Sequence, residues 1–103
     1  MAQCSNNVAV TSGSWTLIFD STAGTDGAPL IGVELTPKSS DCLVCIEGIH
    51  LGASAQTNYE TISNGVTVQR FADNKLTGVG RITRIWAKSV SAAGTISAFP
   101  IGI

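Results

Sequence analysis

Charge is the scarcest commodity in this chain. Only 13% of its 103 residues are Asp, Glu, Lys or Arg, about half the usual share, and the formal net charge is −1. That balance excludes the strongly basic footprint of a general nucleic-acid binder, so no nucleic-acid partner is expected. There is one histidine, His50, and there are three cysteines, Cys4, Cys42 and Cys45. An odd cysteine count makes a poor disulfide framework. The opening Met1-Ala-Gln-Cys-Ser-Asn-Asn has neither the basic n-region nor the apolar h-region of a signal peptide. The expectation is a reduced, intracellular assembly environment with three free thiols. No apolar run approaches the length of a membrane span, and no Asn-x-Ser/Thr site occurs, so no membrane partner is expected either.

A 3.6-residue apolar period is missing as well. What is present is a series of short β-branched and aromatic runs, separated by Gly, Asn, Asp, Ser and Pro. Strands are expected near Val8–Thr11, Trp15–Phe19, Leu30–Thr36, Cys42–Ile49, Tyr59–Ile62, Val66–Phe71, Gly80–Ser89 and Thr95–Ile101. About eight short strands at this spacing predict an all-β fold. The architecture would be a small antiparallel β-sandwich, jelly-roll or immunoglobulin-like, in one domain spanning 1–103. Asn64-Gly65 reads as a type I′ hairpin turn, and Ala93-Gly94 as the turn of a final hairpin. At 44% apolar residues the chain can offset its folding entropy, and its low charge suits a surface partly covered by neighbours.

Alternation assigns faces. Trp15, Leu17 and Phe19 would share a core face, as would Ile31, Val33 and Leu35. From Leu43 to His50 both faces are apolar, which implies a central strand or one covered by a partner. In the run Arg81 to Ser89, Ile85 and Ala87 face one way while Arg84, Trp86 and Lys88 face the other. Either the two cations shield Trp86, or the trio anchors a protein interface, since Trp and Arg are enriched at hot spots. Ile101 and Ile103, in the apolar ending "ISAFPIGI", join the trio as candidate interface residues. The charges are also segregated. Residues 70–88 hold five bases and one acid, whereas residues 1–69 hold six acids and one base. This is ordinary scatter, or a dipolar subunit that docks basic side to acidic side.

Catalytic and metal chemistry finds little footing. Cys42 and Cys45 form a Cys-x-x-Cys, but an odd separation on a strand sends the two thiols to opposite faces, and adding Cys4 and His50 matches no zinc spacing. No Gly-x-Ser-x-Gly elbow accompanies His50, and no phosphate-binding glycine pattern occurs. Glu34 and Glu47, both in mid-strand, are the only carboxylates that could act as a glycosidase pair. The six aromatics fall mostly where core residues should. A glycan ligand would need an exposed platform, for which Trp86 and Tyr59 are the candidates. No enzyme activity, cofactor or metal is expected.

Three stretches, "LTPKSSDCLVCIEGIHLG", "TISNGVTVQRF" and "VGRITRIWAKSVSAAGTISAF", together resemble a loose group of small β-sandwich structural proteins in the virions of tailed bacteriophages. The likeness covers roughly residues 30–103 and is one of strands and turns. It implies a virion component, foremost a capsid decoration (cement) protein bound to the outside of the head. A head fibre, spike or tail protein is the alternative, and a carbohydrate-binding or adhesion module a third reading. The partners implied are the major capsid protein or other virion proteins, with the chain as a homo-oligomer assembled in the host cytoplasm. Such proteins work through surfaces, so the resemblance carries over no functional residue.

Overall fold

The computed structural model describes residues 8–21, 30–49, 58–72 and 82–101. These form eight strands: β1 (Val8–Val10), β2 (Thr16–Asp20), β3 (Gly32–Lys38), β4 (Cys42–Glu47), β5 (Glu60–Ile62), β6 (Val68–Phe71), β7 (Arg84–Ser89) and β8 (Gly94–Ile101). Each corresponds to an expected strand, and no helix occurs among the described residues. Cys4, His50 and Ile103, together with Lys75 and Arg81, lie outside them.

The pairing follows one rule. β1 pairs with β8, β2 with β7, β3 with β6 and β4 with β5, all antiparallel, as if one long hairpin had been formed and then rolled up. Rolling adds the contacts β3–β8 and β4–β7, giving two four-stranded sheets, β1-β8-β3-β6 and β2-β7-β4-β5. This is the jelly-roll arrangement rather than the immunoglobulin one.

The topology corrects two turns. β5 and β6 lie in different sheets, as do β7 and β8, so Asn64-Gly65 and Ala93-Gly94 carry the chain across the sandwich instead of closing hairpins. At the first crossing the Val66 amide donates to the Ser63 carbonyl at 3.1 Å. Gly65 takes φ of 81° while Asn64 does not enter the positive region, so the turn is type II. It is docked on the β3–β4 turn by the Gly65 amide on the Pro37 carbonyl (2.8 Å) and the Asn64 amide on Asp41 Oδ1 (2.7 Å).

The core lies between the sheets. Val33 and Leu35 of β3 with Ile96 and Ala98 of β8 meet Val44 and Ile46 of β4 with Ile85 and Ala87 of β7, all fully buried in one cluster. β4 is an inner strand of its sheet; Val44 and Ile46 face the core, and Cys45 on its other face is buried as well. Ile31 is only partly buried, since it precedes β3. The β2 triplet is also corrected. Leu17 opposes Trp86 and Phe19 opposes Ile85, leaving Ile18 as an extra residue in a β-bulge. The bulge flips the alternation, so Phe19 and Ile18 are buried whereas Leu17 is exposed and Trp15 half-buried.

Opposite the β1 and β2 edges, β6 and β5 form the other margins of the two sheets. Arg70 on β6 opposes core-facing Val33, and Glu60 on β5 opposes core-facing Val44, so both side chains point into the gap between the sheets. They meet there: Arg70 Nε donates to Glu60 Oε2 at 2.8 Å and Nη2 to Oε1 at 2.6 Å. The hydrogen bonds to Glu60 raise the guanidinium pKa further, with burial acting against them.

Candidate functional site

With the core filled by aliphatic side chains, the aromatics are displaced outward. Phe19 alone is a core aromatic; Trp15 and Trp86 are half-buried, and Tyr59, Phe71 and Phe99 are exposed. This corrects the expectation that most of them would be internal, and it gives each outer sheet face its character.

On the β2-β7-β4-β5 sheet, Arg84, Trp86 and Lys88 alternate with buried Ile85, Ala87 and Ser89, so the three expected residues do share the outer face. Trp86 stands between Leu17 and Cys45. Its Nε1 donates to Glu47 Oε2 at 2.8 Å. Arg84 reaches Glu47 Oε1 through Nη1 (3.4 Å) and Asp20 Oδ1 through Nε (3.3 Å). Cys45, between core-facing Val44 and Ile46, points to this outer side yet is 1% exposed, because the side chains around it close over the sulfur. Lys88 does not shield Trp86: its Nζ lies 6.0 Å from the Trp15 ring centroid. Trp15 in turn meets Tyr59, with centroids 5.8 Å apart and ring planes at 57°. Sequence reasoning missed the Trp15–Tyr59 pair, whose members lie far apart in the chain.

On the β1-β8-β3-β6 sheet the outer face has an apolar end. Phe71 and Ile101 oppose Gly32 from either side, and Phe99 opposes Glu34. Gly32 is needed there: a Cβ at this position would lie 2.6 Å from Phe71 Cδ1, so the ring rests on bare backbone. Phe71 and Phe99 are 48% and 43% exposed. Further along, Gln69 donates to Glu34 (3.3 Å) and the Thr36 and Thr67 hydroxyls share a 2.8 Å bond. Of the expected interface residues Ile101 belongs to this face, opposite to that of Arg84, Trp86 and Lys88.

The sheets also separate groups that the sequence could have combined. Glu34 and Glu47 face outward from different sheets, so they form no catalytic pair. Cys42 faces the core and Cys45 the outer side; both are buried and neither is in a disulfide. Burial pushes the Cys42 thiol up, against a smaller downward pull from the Ser89 hydroxyl. Among the described residues, no group of three or more His, Cys, Asp and Glu could hold a metal ion. The segregated charges meet within the chain, since Arg70 and Arg84 both pair with acids from residues 1–69. No known protein family, curated protein or solved structure matches this chain.

Proposed function

We propose that this chain is a virion structural subunit of a tailed bacteriophage, a decoration protein that docks on the outside of the head shell and stabilises it by binding, not catalysis. The observation that carries the reading is the apolar end of the β1-β8-β3-β6 face, where Phe71 and Phe99 stand about half exposed beside Ile101. Two exposed phenylalanines flanking a glycine strand, on a surface with little charge, suit a contact whose centre is desolvated and whose rim is polar. Glu34, Gln69, Thr36 and Thr67 supply that rim. The jelly roll recurs in viral capsid domains, which supports the reading by fold-level analogy alone. Many copies on a shell, each in modest contact with coat subunits and with its own neighbours, would hold by multivalency. A fibre, spike or tail role would use the same face.

The test uses purified particles. Particles lacking the protein should lose resistance to heat and osmotic shock, and adding it back should restore it, with hundreds of copies bound. Phe99→Ser should abolish restoration while the isolated protein keeps its melting temperature, because a desolvated anchor is worth about 2 kcal/mol or more. Particles equally robust without the protein would refute the decoration role.

A further inference from the structure

The face across the sandwich, built on β2-β7-β4-β5, has different chemistry, and its reading is independent of the docking role. We propose that it is a saccharide-binding face for a carboxylate-bearing pyranose, with the sugar stacked on Trp15 and Tyr59 and its carboxylate on Lys88.

Three features converge. The first is the ring pair. Trp15 and Tyr59 stand 5.8 Å apart at 57°, with Tyr59 44% exposed, forming an open aromatic angle on the sheet surface. A pyranose presents one apolar C–H face, which packs on an aromatic ring, and a rim of hydroxyls that seek donors and acceptors. The second is rigidity. Trp86, Glu47, Arg84 and Asp20 form one continuous chain of contacts further along the same face, which ties β2, β7 and β4 together beneath the rings and limits the ordering required on binding. The third is charge. Arg84 is answered by two carboxylates, whereas among the described residues no carboxylate pairs with Lys88, whose recorded contact is the Trp15 ring at 6.0 Å. Among the described residues the face therefore offers one cation without a carboxylate partner beside an aromatic pair. A single-stranded nucleic acid also stacks on rings, but its repeated phosphates need a positive groove. Here the other cation, Arg84, is already paired with Asp20 and Glu47, so the described face holds no positive groove, whereas a single carboxylate needs only the one ammonium.

The experiment titrates the purified protein, by tryptophan fluorescence and calorimetry, with matched oligosaccharides: sialyllactose against lactose, hyaluronan fragments against chito-oligosaccharides of equal length, and oligo(dT) as the nucleic-acid control. At least one acidic member should bind about tenfold more tightly than its neutral parent, a difference of about 1.4 kcal/mol. Lys88→Gln should erase that preference, Lys88→Arg should keep it, and Trp15→Ala should remove binding. Tyr59→Ala, at an exposed position, carries the stacking test should Trp15→Ala fail to fold. Overturning results are the absence of any acidic preference, binding indifferent to both ring substitutions, or oligo(dT) binding more tightly than every saccharide.

Discussion

Arg70 and Glu60 sit on edge strands of opposite sheets and close the sandwich along one side. The guanidinium grips both carboxylate oxygens, at 2.8 Å from Nε and 2.6 Å from Nη2, and the side chains are 36% and 22% exposed. Exposed pairs contribute little, but a two-point geometry lies at the upper end, so a double-mutant cycle with Arg70→Ala and Glu60→Ala should give a coupling of about 1 kcal/mol. Urea unfolding at low and high salt measures it. A coupling indistinguishable from zero at low salt would show that solvent, not the pair, seals this margin.

Gly32 and Phe71 offer a steric test. Gly32→Ala forces the Phe71 ring off the strand, with the Arg70 carbonyl also near at 3.1 Å, and should cost about 1–3 kcal/mol, the usual range for overpacking. Adding Phe71→Ala should recover part of the loss. If the double variant is as unstable as the sum of the single ones, the backbone contact dominates and the ring does not.

Cys42 gives a pH dependence of definite sign. Its thiol pKa is raised in the folded state by burial, so the folded protein holds this proton more tightly than the unfolded chain does. Stability from this group is fully present below the unfolded thiol value, about 8.5, and is lost as pH rises through the folded value. The slope cannot exceed about 1.4 kcal/mol per pH unit for one group. Urea midpoints between pH 7 and 10 should fall more steeply in the natural protein than in Cys42→Ala, and parallel curves would contradict the assignment.

Trp86 and Cys45 oppose each other across β7 and β4. In a Cys4→Ser background, Trp86→Ala should expose the Cys45 sulfur to a thiol reagent under native conditions, whereas Trp86→Phe should keep it protected. Trp86→Phe gives up the bond to Glu47 and should cost about 1–2 kcal/mol. Unchanged reactivity in Trp86→Ala would mean that other side chains cover the sulfur.

Strand existence was legible in the sequence because it is local: alternation and turn residues mark each of the eight. Partners were not, because pairing β1 with β8 joins residues more than 80 apart. Asn64-Gly65 reads as a hairpin for the same reason, since that dipeptide turns the chain equally well within a sheet or between sheets. The Ile18 bulge leaves no compositional mark, and it takes Leu17 out of the expected core to the surface and leaves Trp15 half-buried. The common face of Arg84, Trp86 and Lys88 was visible from one strand alone. Its pairing with Trp15 and Tyr59 depends on all four strands of that sheet being assembled in order.

The rolled-hairpin pairing sets the order of events during synthesis. β4 can find β5 early, but β1 must wait for β8, whose residues are the last of the described chain to be made. β6 is made earlier and can pair one edge of β3, but until β8 is in place the other edge of β3 is open, and its apolar residues stay accessible to other nascent chains. Pairings of such long range slow folding and leave strand edges available for wrong partners. For this fold the risk of misassociation is concentrated before β8 is in place, and replacing β8 residues should reduce soluble yield more than equal losses of stability elsewhere.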